Sequence, residues 1–204
     1  MLVLAVFAWL VSKHHAKLYA PTDYRQDASF IQASVRQVEV AAAIGAAAAK
    51  RLQQGAPPEE ISSEARAAAG VVANLVTQRA ADSARGRVIL WVDDRPANNH
   101  FERQALQALG FSFVLANSTE EALEKVAAQQ FDVIISDMGR PPDQRAGYTL
   151  LGKLRDMGIR TPYIIYAGSR APEHQAESRR RGAVGTTNRP DDLVRLVLNA
   201  VRSS

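Results

Sequence analysis

From Gly86 onward, short apolar runs alternate with amphipathic stretches, and this alternation limits the possible folds more than any other feature of the chain. The runs fall at 87–92, 111–116, 131–136, 162–167 and 183–187. These segments read as strands, and FDVIIS, a continuous β-branched and aromatic run, reads as one covered on both faces in a parallel sheet. The stretches at about 96–109, 118–129, 147–157, 171–181 and 190–202 read as the helices between and after them. Five βα units in series predict an α/β fold with a parallel sheet and helices on both of its faces.

Short connections and right-handed crossovers put the carboxyl end of every strand on one edge, where open α/β sheets bind ligands. Asp93 and Asp94 follow VILWV there, and Asp137 follows FDVIIS. A single acid in such a place is a helix cap or a turn residue: Asp93 and Asp94 suit the helix opening at Pro96, and Asp137 the turn through Gly139 and Pro141. Three converging carboxylates, however, repel one another unless a cation or a proton intervenes. Mg2+ takes oxygen ligands and keeps several waters, so two carboxylates and a carbonyl beside Asp137 would hold it. Asp137 is also chemically able to attack phosphorus and form an acyl phosphate. Arg189, at the end of the last strand and just before Pro190, supplies a counter-charge on the same rim.

The first half of the chain is built differently. Residues 1–11, MLVLAVFAWLV, are wholly apolar and are followed by Lys13, His14, His15 and Lys17. A transmembrane helix needs about 20 residues, so segment 1–20 reads as an interfacial anchor, the tail of a longer span or a piece packed on a partner. The anchor is favoured, and the trailing basic residues would then keep the remainder on the cytoplasmic face of the membrane. Segment 27–84 reads as a helical hairpin, its helices joined by Gly55-Ala56-Pro57-Pro58. In the first helix Ile31, Val35, Val38, Ala42, Gly45, Ala49 and Leu52 recur at alternating spacings of four and three, a seam of mostly small residues. In the second, Ile61, Ala65, Ala68, Val72 and Leu75 do the same. Thin seams bury little alone, so the hairpin is expected to pack in a homodimer or against a neighbour.

Composition removes several function classes. There is no cysteine, and the four histidines are scattered, so neither disulfides nor zinc-ligand spacing is available. The net charge of +4 is spread thinly, nine basic against seven acidic residues over 1–85 and sixteen against fourteen over 86–204. Arg179-Arg180-Arg181 sits at the end of an expected helix, where cations suit the dipole. Binding to nucleic acid is not expected. No GxxxxGK[ST] or GxGxxG loop occurs, and no catalytic triad of serine, histidine and acid can be assembled.

The segment from about Gly86 to Arg202 resembles the receiver domains of two-component response regulators. The resemblance rests on VDD at 92–94, SDMGRP at 136–141, TPYIIYAG at 161–168 and RGAVGTTNRP at 181–190, in that order and spacing. It implies a flavodoxin-like, doubly wound five-stranded sheet in a domain covering 86–204. It further implies Asp137 as phosphoacceptor, Asp94 as a direct Mg2+ ligand, Asp93 as its helper through water, and the Gly139 carbonyl as another ligand. The family's last-loop lysine is replaced by Arg189, a larger, planar cation that can still hold phosphate. Its hydroxyl residue after the fourth strand aligns with Ala167, with Ser169 as the available substitute. Its aromatic switch position aligns with Thr186, and segment 142–147 lengthens the loop after Asp137. Trp91 and Tyr163 are expected in the core, and Asn98, Asn99 and His100 on the surface.

The chain is therefore expected to be an atypical receiver module of phosphorelay signalling, phosphorylated on Asp137 with Mg2+, partnered by a sensor histidine kinase or other signalling protein and acting through protein contact. No histidine occurs from 16 to 99, so the hairpin is not itself a kinase's phosphorylated helix. Two alternatives stay open: a phosphate-independent pseudo-receiver, and a flavodoxin-like hydrolase using the same rim.

Overall fold

The computed structural model describes residues 24–55, 57–75, 78–167 and 172–202. The chain divides into two compact units, 1–32 and 33–204; the first is described only over the opening turns of one helix, and the packing and the site described below belong to the second. Residues 1–20, the expected anchor, lie outside the described residues. Among those described, no helix is long and apolar enough to cross a membrane.

Three helices precede the sheet: α1 (Tyr24–Gln53), α2 (Pro58–Leu75) and α3 (Gln78–Ala84). The first opens at Tyr24 rather than Asp27 and ends where Gly55 takes a positive φ of 93°. Pro58 then opens α2, followed by Glu59 and Glu60 in its first turn, as a helix N-terminus favours.

Five βα units follow as expected: β1 (Val88–Val92), a 3-10 turn (Pro96–Asn99) and α4 (His100–Leu109); β2 (Ser112–Ala116) and α5 (Thr119–Ala128); β3 (Val133–Ser136) and α6 (Ala146–Asp156); β4 (Tyr163–Tyr166) and α7 (Pro172–Arg180); β5 (Gly185–Thr187) and α8 (Pro190–Arg202). The strands form one parallel sheet in the order β2-β1-β3-β4-β5. Register matters for the site. Val92 is aligned with Ser136, so the next residues, Asp93 and Asp137, leave the sheet side by side.

Alternate residues of each strand face opposite sides, which divides the core in two. Ile89, Trp91, Val133, Ile135 and Ile164 pack with α4 and α8; Leu90, Val92, Ile134, Tyr163 and Ile165 pack with α6 and Ala122 of α5. Trp91 and Tyr163 are buried, on different faces.

The hairpin's neighbour is the receiver-like portion itself. Val40, Ala43 and Ile44 of α1, Ala68 and Val71 of α2, and Ala80 and Ala84 of α3 join the cluster that holds Leu193, Val194, Val197 and Val201 of α8. The buried stripe of α1 is not the expected one. Val40, Ala43, Ile44, Ala47 and Ala48 are buried, whereas Val35, Val38, Ala42, Gly45, Ala49 and Leu52 face outward. An alanine-rich helix is apolar around most of its circumference, so spacing alone does not choose the face that packs.

Candidate functional site

At the carboxyl ends of β1 and β3, ligand oxygens from Asp93, Asp94 and Asp137 lie within 4.8 Å of one another. The backbone ladder continues up to this rim: Asp93 N donates to Ala116 O at 2.9 Å, and Asp137 N to Val92 O at 3.1 Å. Asp93 is buried and held by the turn after it, its Oδ1 accepting from Arg95 N at 2.7 Å and its Oδ2 from the Asn99 side-chain amide. Asn99, expected as a surface residue, thus orients one of the three acids. Asp94 is exposed, and Asp137 is intermediate.

The backbone beside Asp137 is packed tightly. Gly147, in the first turn of α6, donates its N–H to Met138 O at 2.8 Å. A Cβ at this position would stand 2.5 Å from the Asp137 carbonyl oxygen. Tyr163 fastens the same turn from below, its hydroxyl donating to Gly147 O at 2.9 Å.

Arg140 is the main addition to the residues expected from sequence. It comes three residues after Asp137, yet its side chain turns back into the protein and is only 4% exposed. Its Nη1 donates to Ser136 Oγ at 2.8 Å and to Asp137 Oδ1, and its Nη2 to Thr119 Oγ1 at 3.1 Å. Thr119 is placed by the start of α5, where Ser118 caps the helix by accepting from Glu121 N at 3.0 Å. The Asp137 carboxyl is raised to about 7, chiefly by burial, with Arg140 pulling it down and Asp93 and Asp94 pushing it up.

Arg189 stands elsewhere. Its Nε and Nη2 grip Asp191 Oδ1 and Oδ2 at 3.1 and 2.8 Å, a two-pronged pair that ties the end of β5 to the start of α8. Ser169 lies outside the described residues. Ala167 and Gly139 both line the cleft above the acids, and Thr186 Oγ1 is buried without a hydrogen-bond partner.

That cleft has a volume of about 670 Å3. One wall is the acidic rim with Asn98, Asn99 and Glu102; the other is the last turns of α1, including Lys50 and Arg51. Lys50 Nζ donates to Asn98 O at 2.6 Å, and Arg51 pairs with Glu60 at 3.0 Å and with the buried Glu64. Spacing within the segments could not have revealed that a helix ending before residue 54 would roof acids near 93 and 137.

The family model for the response regulator receiver domain matches residues 89–200. The chain belongs to that family. Its receiver domain is 32% identical over 100 residues to the sensor histidine kinase RcsC of Salmonella typhimurium, covering 48% of this chain and 10% of that protein. It is also 32% identical over 114 residues to the gliding motility regulatory protein of Myxococcus xanthus, covering 55% of this chain and 14% of that one. The chain therefore spans only a small part of these relatives' lengths. Among solved structures, the receiver domain of the Francisella response regulator 1452 is similar at 26% identity with a TM-score of 0.53, over 58% of this chain and 98% of that one. The fold and the place in two-component signalling are those expected from the sequence.

The donor set of this receiver fits a hard divalent cation: three carboxylates with oxygens within 4.8 Å, one of them exposed. Such an ion and Arg140 would share Asp137.

Proposed function

We propose that this receiver domain accepts a phosphoryl group on Asp137 from a sensor histidine kinase or another signalling partner, with Mg2+ held by Asp93, Asp94, Asp137 and the Gly139 carbonyl, and acts through protein contact. The observation that carries the reading is the convergence of the three carboxylates on one rim, in register through Val92 and Ser136. The name of the RcsC relative, a sensor histidine kinase, supports the choice of partner. Bound there, Mg2+ supplies charge neutralisation for the carboxylates and for the oxygens of the transferring group.

The chain's own residues do the rest. Asn99 and the Arg95 N–H hold Asp93 toward the rim. Gly147 and Tyr163 fix the backbone beside Asp137, so that its carboxylate enters the cleft from a rigid strand end. An Asp137 oxygen forms the new bond to phosphorus while the bond from phosphorus to the donor's leaving atom breaks, the electron pair departing with the donor.

A specific observation favours a second reading. The Arg140–Asp137 ion pair neutralises the acceptor internally, as a phosphate-independent binding module would require. Acetyl phosphate with Mg2+ separates the two: the first reading expects one phosphoryl group by intact mass, lost in Asp137→Asn. Absence of the adduct in the wild type, with partner binding retained in Asp137→Asn, supports the second. The uncovered α1 stripe of Val35, Val38, Ala42, Gly45, Ala49 and Leu52 has the spacing of a coiled-coil seam and fits a second copy of this chain. Sedimentation of Val38→Glu against wild type tests it, a shift from dimer to monomer being the expected result.

A further inference from the structure

The resemblance assigns the cation facing the phosphoryl group to the loop after the last strand, which in this chain means Arg189. The structure gives that guanidinium a carboxylate of its own, with Nε and Nη2 both donating to Asp191; neither it nor Arg140 is among the residues that line the open cleft. Arg140 is differently situated. Among the described residues it is the cation hydrogen-bonded to Asp137.

A guanidinium stays charged at any working pH, so a buried one requires a counter-charge. Asp137 provides it, with Asp93 and Asp94 close behind. Ser136, which is fully buried, and Thr119 hold the two terminal nitrogens from the side away from solvent, while the Arg140 Nε is buried with no partner. The backbone closes the loop on itself, Arg140 N donating to Asp143 O at 2.9 Å. Releasing Asp137 would therefore leave the guanidinium in place beside the site, anchored by two neutral hydroxyls. With three carboxylates and one arginine the group carries a formal charge of −2, which a divalent cation balances. Converting the Asp137 carboxylate to its acyl phosphate adds negative charge beside an arginine already positioned to meet it.

We infer that Arg140, not Arg189, is the guanidinium that pairs with the phosphoryl group on Asp137, and that it competes with the divalent cation for the bare carboxylate. The phosphoryl half of this rests on the function proposed above; the competition half does not. With acetyl phosphate as donor, an Asp137 oxygen bonds to phosphorus, the bridging P–O bond breaks and acetate leaves with its electron pair. Arg140 moves no proton. Its hydrogen bond passes from Oδ1 to a phosphoryl oxygen. Arg189 ties β5 to α8.

The test uses the full chain and four proteins: wild type, Arg140→Gln, Arg140→Lys and Arg189→Gln, with folding checked by thermal melts. Calorimetric titration with MgCl2 reads the competition. Removing a positive charge in contact with a ligand carboxylate should tighten Mg2+ binding by on the order of tenfold in Arg140→Gln. Arg140→Lys, which keeps the charge and guards against a simple folding defect, should stay nearer the wild type. Labelling by acetyl phosphate reads the phosphoryl role, Arg140→Gln costing at least ten times more label than Arg189→Gln. Unchanged Mg2+ affinity in Arg140→Gln overturns the competition, and a larger loss of label in Arg189→Gln overturns the assignment. If the wild type takes no phosphoryl group, the phosphorylation reading and the phosphoryl role of Arg140 fall together, and the Mg2+ comparison still decides the competition. Mg2+ binding seen only in Arg140→Gln supports the competition in its strongest form; binding in no protein overturns it together with the metal site.

Discussion

Replacing Gly147 by alanine tests whether the rigidity of the Asp137 loop comes from the close approach of α6. The added Cβ would sit 2.5 Å from the Asp137 carbonyl oxygen and 3.2 Å from the Met138 Cα, where ordinary contact begins at 3.4 Å. Both obstacles are backbone, so neither can rotate away. Overpacking of this kind costs about 1–3 kcal/mol. Against it, alanine is favoured over glycine in a helix interior by about 1 kcal/mol, and by less in a first turn. The net loss should be about 1–2 kcal/mol, lowering the melting temperature by roughly 2–8 °C in a chain of this size. The internal control lies on the same helix: Gly152 has nothing within 4 Å of its would-be Cβ. Gly152→Ala should gain up to about 1 kcal/mol and raise the melting temperature by roughly 2–4 °C. Thermal unfolding followed by circular dichroism measures both, and Mg2+ titration of Gly147→Ala should show weakened binding because the Asp137 backbone must shift. A Gly147→Ala protein as stable as the wild type, or a parallel change in the two variants, would refute the reasoning.

Other perturbations probe the remaining contacts. Ile44→Ala in α1 should destabilise the whole receiver unit by about 2–5 kcal/mol in denaturant melts, since Ile44 shares a cluster with Leu193 and Val197; loss of α1 helicity without a change in the receiver transition would show the hairpin to be independent. Glu102 accepts the Tyr166 hydroxyl at 2.9 Å on Oε1, while Oε2 is buried and unpartnered, and burial holds its pKa above the ordinary value. Because the folded-state value is raised, the carboxyl's contribution is complete below its unfolded pKa and is lost as pH rises through the folded one. Glu102→Gln should therefore gain stability relative to wild type between pH 4 and pH 8, and a pH-independent difference would contradict the burial argument.

The βα alternation, the rim and its three acids were legible in the chain because strand and helix periods are local properties. A run such as FDVIIS cannot be half-exposed, and once Val92 and Ser136 lie in register, Asp93 and Asp137 must emerge together. Other features depended on neighbours far along the sequence. Spacing showed α1 to be apolar, but its packed face was decided by the contour that α2, α3 and α8 offer, since alanines surround most of the helix. Choosing between two arginines was likewise beyond local pattern. Arg189 follows a strand end, where a rim cation belongs, yet Asp191 is close enough to pair with its Nε and Nη2. Arg140 sits in a turn sequence with no sign of burial, and it is drawn inward because Thr119, twenty-one residues earlier, and Ser136 complete a polar socket around a charge that Asp137 balances. Periodicity specifies which way an element faces; the pairing of a buried charge is settled only when the chain brings its acceptors together.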